Sequence, residues 1–478
     1  MEKLFKLKQN GSNVRTEIIA GITTFMTMAY IIALNPNLIV GFGATADPVK
    51  GPIWNGVFLA TCIASAIAMF AMAFMANKPF ALAPGMGLNS FFAVVVSNIV
   101  AVTGATYVAS FRAALCIILI EGILFVFMSF FSIREKIVDS IPLGVRIGIS
   151  PAIGLMLMNI GLGSNAGVYN SDGAPFYVLK DFFGALTPKT IADALGGAYP
   201  QMVLTVCTMF IGFFVIVALA KKKVKGSVLI GMLIASIVYW AGQAVFLNTN
   251  PFASLKGASF IPPFKDLADA TLFKFDFKTF MDMGWFTVIT LIVTFCMIDM
   301  FDTIGTLVGT ASRANMLDKE GKMPKMKEAL LADAIGTVTG ACMGTSTVTT
   351  FVESAAGVEE GGRTGLTALV TGLLFLACIF IAPIAAIIPA PATSAALIYV
   401  GILMISGLKN VNWEDVDEIA PVAVMLIFMP VSGSIGHAIG MGLITYTIIK
   451  VLTGKFKSVS ILTYVISLLF LVKFFTVV

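Results

Sequence analysis

Apolar runs separated by short polar breaks cover almost the whole chain. Read between the breaks, they predict seven helices, over 17–40, 53–75, 80–102, 111–131, 142–162, 201–220 and 227–246. A second series of seven follows, over 285–311, 329–343, 345–357, 365–388, 392–408, 419–431 and 434–451. Most runs reach the roughly 20 residues that a helix needs to cross a hydrocarbon core of about 30 Å. A last apolar run, 459–478, belongs to neither series and either spans the membrane or lies along it.

Composition turns this pattern into a membrane protein. Of the 478 residues 58% are hydrophobic and 12% charged, where a soluble domain is about 25% charged. The mean hydropathy is +0.95. The basic start, 1–16, has no small-residue cleavage site and reads as a cytoplasmic N-terminus. Alternation then puts Arg134, Lys136, the run 221–225 and the stretch 313–327 on the same side, as the positive-inside rule requires. The net charge of +5 is thus a topology signal, and no nucleic-acid partner is expected. The two longest loops, 163–200 and 248–284, fall outside and read as solvated connectors. The six cysteines lie in apolar segments without metal-ligand spacing and read as packing residues, as does His437 near a helix start.

Equal segment counts invite a search for a repeat. IPLGVRIGISPAIGLMLMNIGL from Ile141 can be laid over IPAPATSAALIYVGILMISGL from Ile388, with Pro142 to Gly154 and Pro389 to Gly401 identically spaced. Seven spans per half make the two copies run in opposite directions, so the expected topology is an inverted repeat. Two runs are too polar and too rich in Gly, Pro and β-branched residues for plain helices: ALAPGMGLNSFFAV at 81–94 and MGTSTVTTFVESAAGV at 343–358. Irregular backbone at membrane depth is tolerated only where it is buried in protein or lines a cavity. A matched pair of broken segments is the best sequence pointer to a transporter's binding site, although a Gly/Pro packing kink gives the same pattern. The segments 81–84 and 345–350 are expected to be extended and adjacent at the membrane midplane, each followed by a helix.

Acids in membrane runs are the second signal. In TFCMIDMFDTIGTLVGTA, Asp299, Asp302 and Thr306 share one helix face at spacings of three and four. A charged Asp at the centre of a membrane helix costs about 2.5–3.5 kcal/mol on insertion scales, so such residues are usually functional. Glu353 and Ser354 lie in the second broken segment and Asn89 in the first, while Glu121 stands alone in the fourth run. No Lys or Arg lies inside the spans holding Asp299, Asp302 and Glu353, so ion pairing of these three is not expected. Two carboxylates as close as Asp299 and Asp302 resist joint ionisation, which suits one of them to carry a proton while Glu353 contacts the solute. A nucleobase fits chemically: carboxylates accept from its ring N–H groups, Asn and backbone N–H groups donate to its acceptors, and Phe91, Phe92, Phe301 and Phe351 adjoin the polar positions.

At these residues the sequence resembles the purine permeases of the azaguanine-transporter-like branch of the nucleobase/cation symporter 2 superfamily. The likeness runs from EIIAGITTFMTMAYIIALNP at Glu17 through APGMGLNSFF at Ala83, FDTIGTLVGTA at Phe301 and GTSTVTTFVESAAGVEEGGRTG at Gly344 to IPAPATSAALIYVG at Ile388. It implies an all-α polytopic protein of the uracil-transporter type, with about fourteen segments as two inverted repeats of seven and short strands in the third and tenth. The expected units are a cytoplasmic N-terminus 1–16, a first repeat 17–247, an extracytoplasmic loop 248–284, a second repeat 285–452 and an apolar tail 453–478. Segments 1–4 and 8–11 would form the core domain, 5–7 and 12–14 the gate. By motif, Asp302 and Glu353 stand where relatives' acids contact the base, with Asn89 and Ser354 completing the binding set. Asp299 matches a polar residue implicated in transport, and Thr306 stands where pyrimidine carriers tend to have a polar or titratable group.

The function expected is proton-coupled uptake of adenine, guanine or hypoxanthine at the cell membrane. It needs no cofactor beyond the proton gradient, and its partners are the purine, H+ and the bilayer, with a homodimer as candidate assembly. The alternatives are xanthine, uracil or an anion on the same fold, a channel, or a membrane-embedded enzyme. Three uncompensated carboxylates argue against an anion, no filter motif recurs for a channel, and two Asp on one helix cannot form a two-helix catalytic dyad.

Overall fold

Backbone N–H and C=O groups inside hydrocarbon have no water to bond, so an apolar run of spanning length closes its own bonds as a helix. The computed structural model describes residues 2–131, 134, 142–165, 199–256, 258–313, 316, 323–432 and 435–476. Lys136 and most of the 163–200 loop lie outside them, as does part of 313–327. In chain order the main elements are α1 (Val14–Met28), α2 (Ile31–Val40), α3 (Lys50–Ala71), β1 (Leu82–Pro84), α4 (Met86–Thr103), α5 (Tyr107–Phe130), α6 (Leu143–Ile160), α7 (Tyr199–Lys221), α8 (Ser227–Phe246) and α9 (Trp285–Arg313). Then come α10 (Met326–Met343), β2 (Val348–Thr350), α11 (Ser354–Glu359), α12 (Gly365–Ala377), α13 (Ala390–Ile405), α14 (Val416–Ser432), α15 (Ile435–Leu452) and α16 (Ile461–Thr476).

Eleven helices among the described residues are long and apolar enough to cross a membrane, and the chain is a polytopic integral membrane protein. Three of the fourteen runs fall outside that set for visible reasons. The ninth, α10, carries Lys327, Glu328 and Asp333. The tenth is a strand and a helix of six residues. The thirteenth, α14, has 17 residues and two internal prolines. The final apolar run is the helix α16, packed on α15. A Cβ built on Gly440 of α15 would lie 2.7 Å from the Phe470 ring, and His437 meets Phe474 edge-on at 5.4 Å.

The two broken segments meet. β1 and β2 pair antiparallel with Leu82 opposite Thr350, Ala83 opposite Thr349 and Pro84 opposite Val348. The pairing extends at both ends, where Phe351 N donates to Ala81 O (2.9 Å) and Gly85 N to Thr347 O (3.1 Å). β1 leads into the 18-residue α4, whereas β2 leads only to the short α11. A pair of three-residue strands is far too small to hold itself together. It persists because α3, α9 and α10 pack around it.

Helices α1 to α5 pack with α9 to α12, and α6 to α8 pack with α13 to α15. In the second group α6 crosses α13 at a reciprocal contact: a Cβ on Gly154 would lie 2.6 Å from Gly401 O, and one on Gly401 would lie 2.5 Å from Gly154 O. Only glycine at both positions permits that approach. The 248–284 stretch differs from the solvated connector expected, because its middle is docked. Leu267, Ala270 and Thr271 are buried, Arg112 donates to the carbonyls of Asp269 and Ala270, and Phe273 N bonds Cys342 O at 2.7 Å.

Candidate functional site

Around the strand pair the polar residues divide into an open set and a closed set. The open set lies on α9. Asp302, Gly305, Thr306 and Gly309 follow the i, i+3, i+4, i+7 stripe of one face. Asp302 and Thr306 are half-buried, both glycines are exposed, and a Cβ built on either meets no described atom within 4 Å. The Asp302 carboxylate makes no hydrogen bond among the described residues. Its Oδ2 lies 3.8 Å from where a Cβ on Gly85 would stand, beside the turn that leads into α4. Gly85 is the N-cap of α4 and brings no side-chain cap, so the uncapped first turn of that helix points the same way.

Glu353 joins this open side from the end of the second broken segment. It is half-buried, and its Oε1 accepts from the Tyr30 hydroxyl at 2.6 Å, which leaves Oε2 without a hydrogen-bond partner among the described residues. Tyr30 itself is fully buried, in the break between α1 and α2, so the carboxylate is held from below by a rigid donor. Asp302 and Glu353 are close enough to interact electrostatically.

Asn89 and Ser354 are placed differently from the sequence expectation of side chains turned to a solute. Both are fully buried and tie the broken segments to each other. Asn89 Oδ1 accepts from Ser346 Oγ, its Nδ2 donates to Pro84 O at 3.1 Å, and Ser354 Oγ accepts from Ala81 N at 2.9 Å. An amide keeps one further N–H and one further lone pair after two such bonds. Of the four phenylalanines, Phe91 packs on Phe295 at 4.7 Å and Phe92 on Phe111 at 5.6 Å, so these two rings serve the core.

The closed set overturns the expectation that no cation pairs with the acids. Arg134, just beyond α5, is wholly buried. Both its terminal nitrogens donate to Asp333 Oδ2 at 3.2 Å, and Nη2 stands 3.9 Å from Asp299 Oδ2. Its guanidinium lies over the Phe125 ring at 3.9 Å. Thr303 bridges the carboxylates, with Oγ1 at 3.1 Å from Asp299 Oδ1 and 2.9 Å from Asp333 Oδ1. Asp299 therefore belongs to this cluster, although it shares a helix face with Asp302. Glu121 lies nearby with Oε2 accepting from Thr347 Oγ1 at 2.9 Å.

Sequence reasoning missed Arg134, Asp333, Tyr30 and Glu17. Arg134 sits in a polar break, where a cation reads as a topology charge. Asp333, in ALLADAIG, carries the same signal as Asp299, one acid among apolar residues of a helix. Glu17 is fully buried and accepts from the backbone N–H groups of Arg363 (2.9 Å), Thr364 (3.3 Å) and Thr367 (3.2 Å) at the start of α12.

Residues 15–431 match the family described as the Permease family. The chain is 36% identical over 474 residues to the adenine permease AdeP of Escherichia coli (strain K12), covering 99% of this chain and 95% of that protein. It is 34% identical over 475 residues to the guanine/hypoxanthine permease PbuO of Bacillus subtilis (strain 168), covering 99% of this chain and 100% of that protein. Among solved structures, the transmembrane domain of the cyanobacterium bicarbonate transporter BicA superposes with a TM-score of 0.62 at 14% identity, over 89% of this chain and 97% of that one. That last likeness concerns the fold alone.

Proposed function

The chain belongs to the permease family, and from that premise we propose that it takes up a purine nucleobase together with protons across the cell membrane by alternating access. It is a transporter and not an enzyme. The observation that carries the substrate reading is the pair of half-exposed carboxylates, Asp302 and Glu353, beside the strand pair and the open face of α9. Each retains acceptor capacity for a ring N–H, and the uncapped first turn of α4 supplies donors for a carbonyl or ring nitrogen. Asn89 and Ser354 join this set by fixing the backbone on which it stands. The adenine and guanine/hypoxanthine permeases among the relatives support the same class of solute.

An anion is disfavoured although the fold is shared with a bicarbonate transporter. Arg134, the buried cation of the closed cluster, is already engaged by Asp333 and Asp299. Two carboxylates facing open space would repel an anionic solute.

The proposed architecture is two inverted repeats of seven segments, 17–247 and 285–452, with the N-terminus cytoplasmic. The core unit comprises segments 1–4 and 8–11 and the gate segments 5–7 and 12–14. The separate packing of α1–α5 with α9–α12 and of α6–α8 with α13–α15 supports that division. Asp299 and Thr306 are assigned to coupling and site support.

The test is uptake of labelled purine in cells lacking their own permeases, against a panel of unlabelled bases. Adenine, guanine or hypoxanthine should compete while uracil and bicarbonate do not. Uptake should fall as external pH rises and collapse with a protonophore. Competition by uracil alone refutes the purine reading, and uptake that follows a sodium gradient instead refutes proton coupling.

A further inference from the structure

The closed cluster is short of one proton. Thr303 Oγ1 lies within hydrogen-bond distance of three oxygens: Asp299 Oδ1 (3.1 Å), Asp333 Oδ1 (2.9 Å) and Thr349 Oγ1 (2.6 Å). Three two-centre bonds need three protons, and the two hydroxyls own one each. A carboxyl proton as the third spares Thr303 from sharing its single proton between two carboxylates. Charge counting agrees, because two carboxylates against one guanidinium leave an excess negative charge where every side chain is fully buried. An unpaired charge in such a place is costly, and one proton removes it.

The geometry also says which acid takes it. Asp333 Oδ2 receives both guanidinium nitrogens at 3.2 Å, as an ionised carboxylate does. Asp299 Oδ2 has no hydrogen-bond partner among the described residues, and its 3.9 Å separation from Arg134 Nη2 is beyond hydrogen-bond range. A protonated Asp299 donates from Oδ1 to Thr303 and leaves Oδ2 a neutral carbonyl, the cheaper atom to leave unpaired.

Extending the proton-coupled reading above, on which this rests, we propose that Asp299 and Asp333 hold one exchangeable proton between them, at a place separate from the purine, with Arg134 positioning Asp333. Loss of the proton leaves Thr303 one donor short and draws Asp299 towards Arg134. The strain reaches the solute site through Thr349, which pairs with Ala83 beside Gly85. The other titratable groups facing the pair are Glu121 on α5, and Cys296 and Asp302 on α9. Asp302, one turn along α9, connects the closed cluster to the open face.

The experiment uses the purified full-length protein and adenine, guanine and hypoxanthine as probes. Calorimetry in buffers of different ionisation enthalpy counts protons taken up on binding, and affinity is followed across pH. If the protonated pair is the binding-competent form, affinity is level at low pH and falls up to tenfold per pH unit above the pair's titration. The parent should follow that course and take up close to one proton where affinity is falling. Asp299→Asn, which fixes the neutral form, should bind with affinity independent of pH and with no proton uptake. Thr303→Val removes the shared hydroxyl without touching a charge and should shift the midpoint of the profile, so the proposal stays testable if the Asn variant does not fold. A parent-like profile and midpoint in both variants overturns the assignment and leaves proton coupling intact. A parent that takes up no proton at any pH and whose uptake ignores a protonophore overturns the coupling reading itself.

Discussion

Replacing Glu353 with Gln isolates what its free oxygen contributes. Oε1 is committed to Tyr30 at 2.6 Å, and a Gln carbonyl can keep that bond, so the variant should fold. Oε2 becomes an amide N–H that faces the ring N–H of a bound base. A hydrogen bond to a charged partner contributes about 1.5–3 kcal/mol. At about 1.4 kcal/mol per tenfold change, losing it weakens purine binding roughly 10- to 150-fold, with the donor–donor mismatch favouring the upper end. Tyr30→Phe removes only the restraint on Oε1 and leaves the charge, so about 1 kcal/mol, or roughly fivefold, is expected. The double variant should lose less than the sum, because the restraint has no value once the acceptor is gone. Affinity by calorimetry on the purified proteins decides it. Glu353→Gln binding within about twofold of the parent, or Tyr30→Phe costing more than Glu353→Gln, refutes the reasoning.

Three further outcomes are expected. Asp302→Asn should cut both purine affinity and uptake more than tenfold without lowering the melting temperature, since it removes a carboxylate that has no hydrogen-bond partner among the described residues; a lowered melting point with parental affinity would make Asp302 structural. Glu17→Ala strips three backbone N–H groups at the start of α12 of their acceptor, which should destabilise the protein by about 3 kcal/mol or more, with Glu17→Gln milder; melting in detergent checks both, and unaltered melting counts against a capping role. Gly401→Ala places a methyl 2.5 Å from Gly154 O and should cost about 1–3 kcal/mol by overpacking, whereas Gly407→Ala, whose Cβ meets Pro151 at an ordinary 3.5 Å, should be tolerated; equal yields and melting points for the two would refute the close crossing.

The spans and the two broken segments were legible because apolar length and Gly/Pro-rich interruption are local properties. The pairing of 82–84 with 348–350 followed once both breaks were seen as halves of one device. The division of the acids was not legible, and Asp299 shows why. Helical spacing puts it on the face of Asp302, but burial depends on what packs against each turn. The residue that claims Asp299, Arg134, comes from a polar break more than 160 positions away in sequence. Tyr30 was hidden likewise, since nothing in TMAYIIALNP tells a hydroxyl that orients Glu353 from one at a lipid interface. The 248–284 loop failed for a different reason: its mixed composition reads as solvated, while Thr271 fits beside Gly56 and Gly344, whose missing side chains make the seat.

The proposed repeats place the same backbone devices in both halves and different chemistry on each. Strand meets strand and Gly154 meets Gly401 reciprocally, as a two-fold relation requires. The side chains do not follow that symmetry. The half that ends in α8 supplies Tyr30, Asn89 and Arg134, which hold, tie and neutralise. The other half supplies Asp299, Asp302, Asp333 and Glu353. A carrier whose two halves faced the solute identically would place like carboxylates opposite each other and repel them. Putting these four acids on one half and Tyr30 and Arg134, which hold Glu353 and Asp333, on the other lets the site remain intact while a proton comes and goes. Under this reading, exchanging Arg134 and Asp333 in the double variant Arg134→Asp with Asp333→Arg should restore folding lost in either single variant, yet fail to restore pH-dependent purine binding, because the reversed pair moves the cation onto α10 beside Thr303. Full recovery of the pH profile by the swap would show that only the ion pair matters and that which half carries each sign does not.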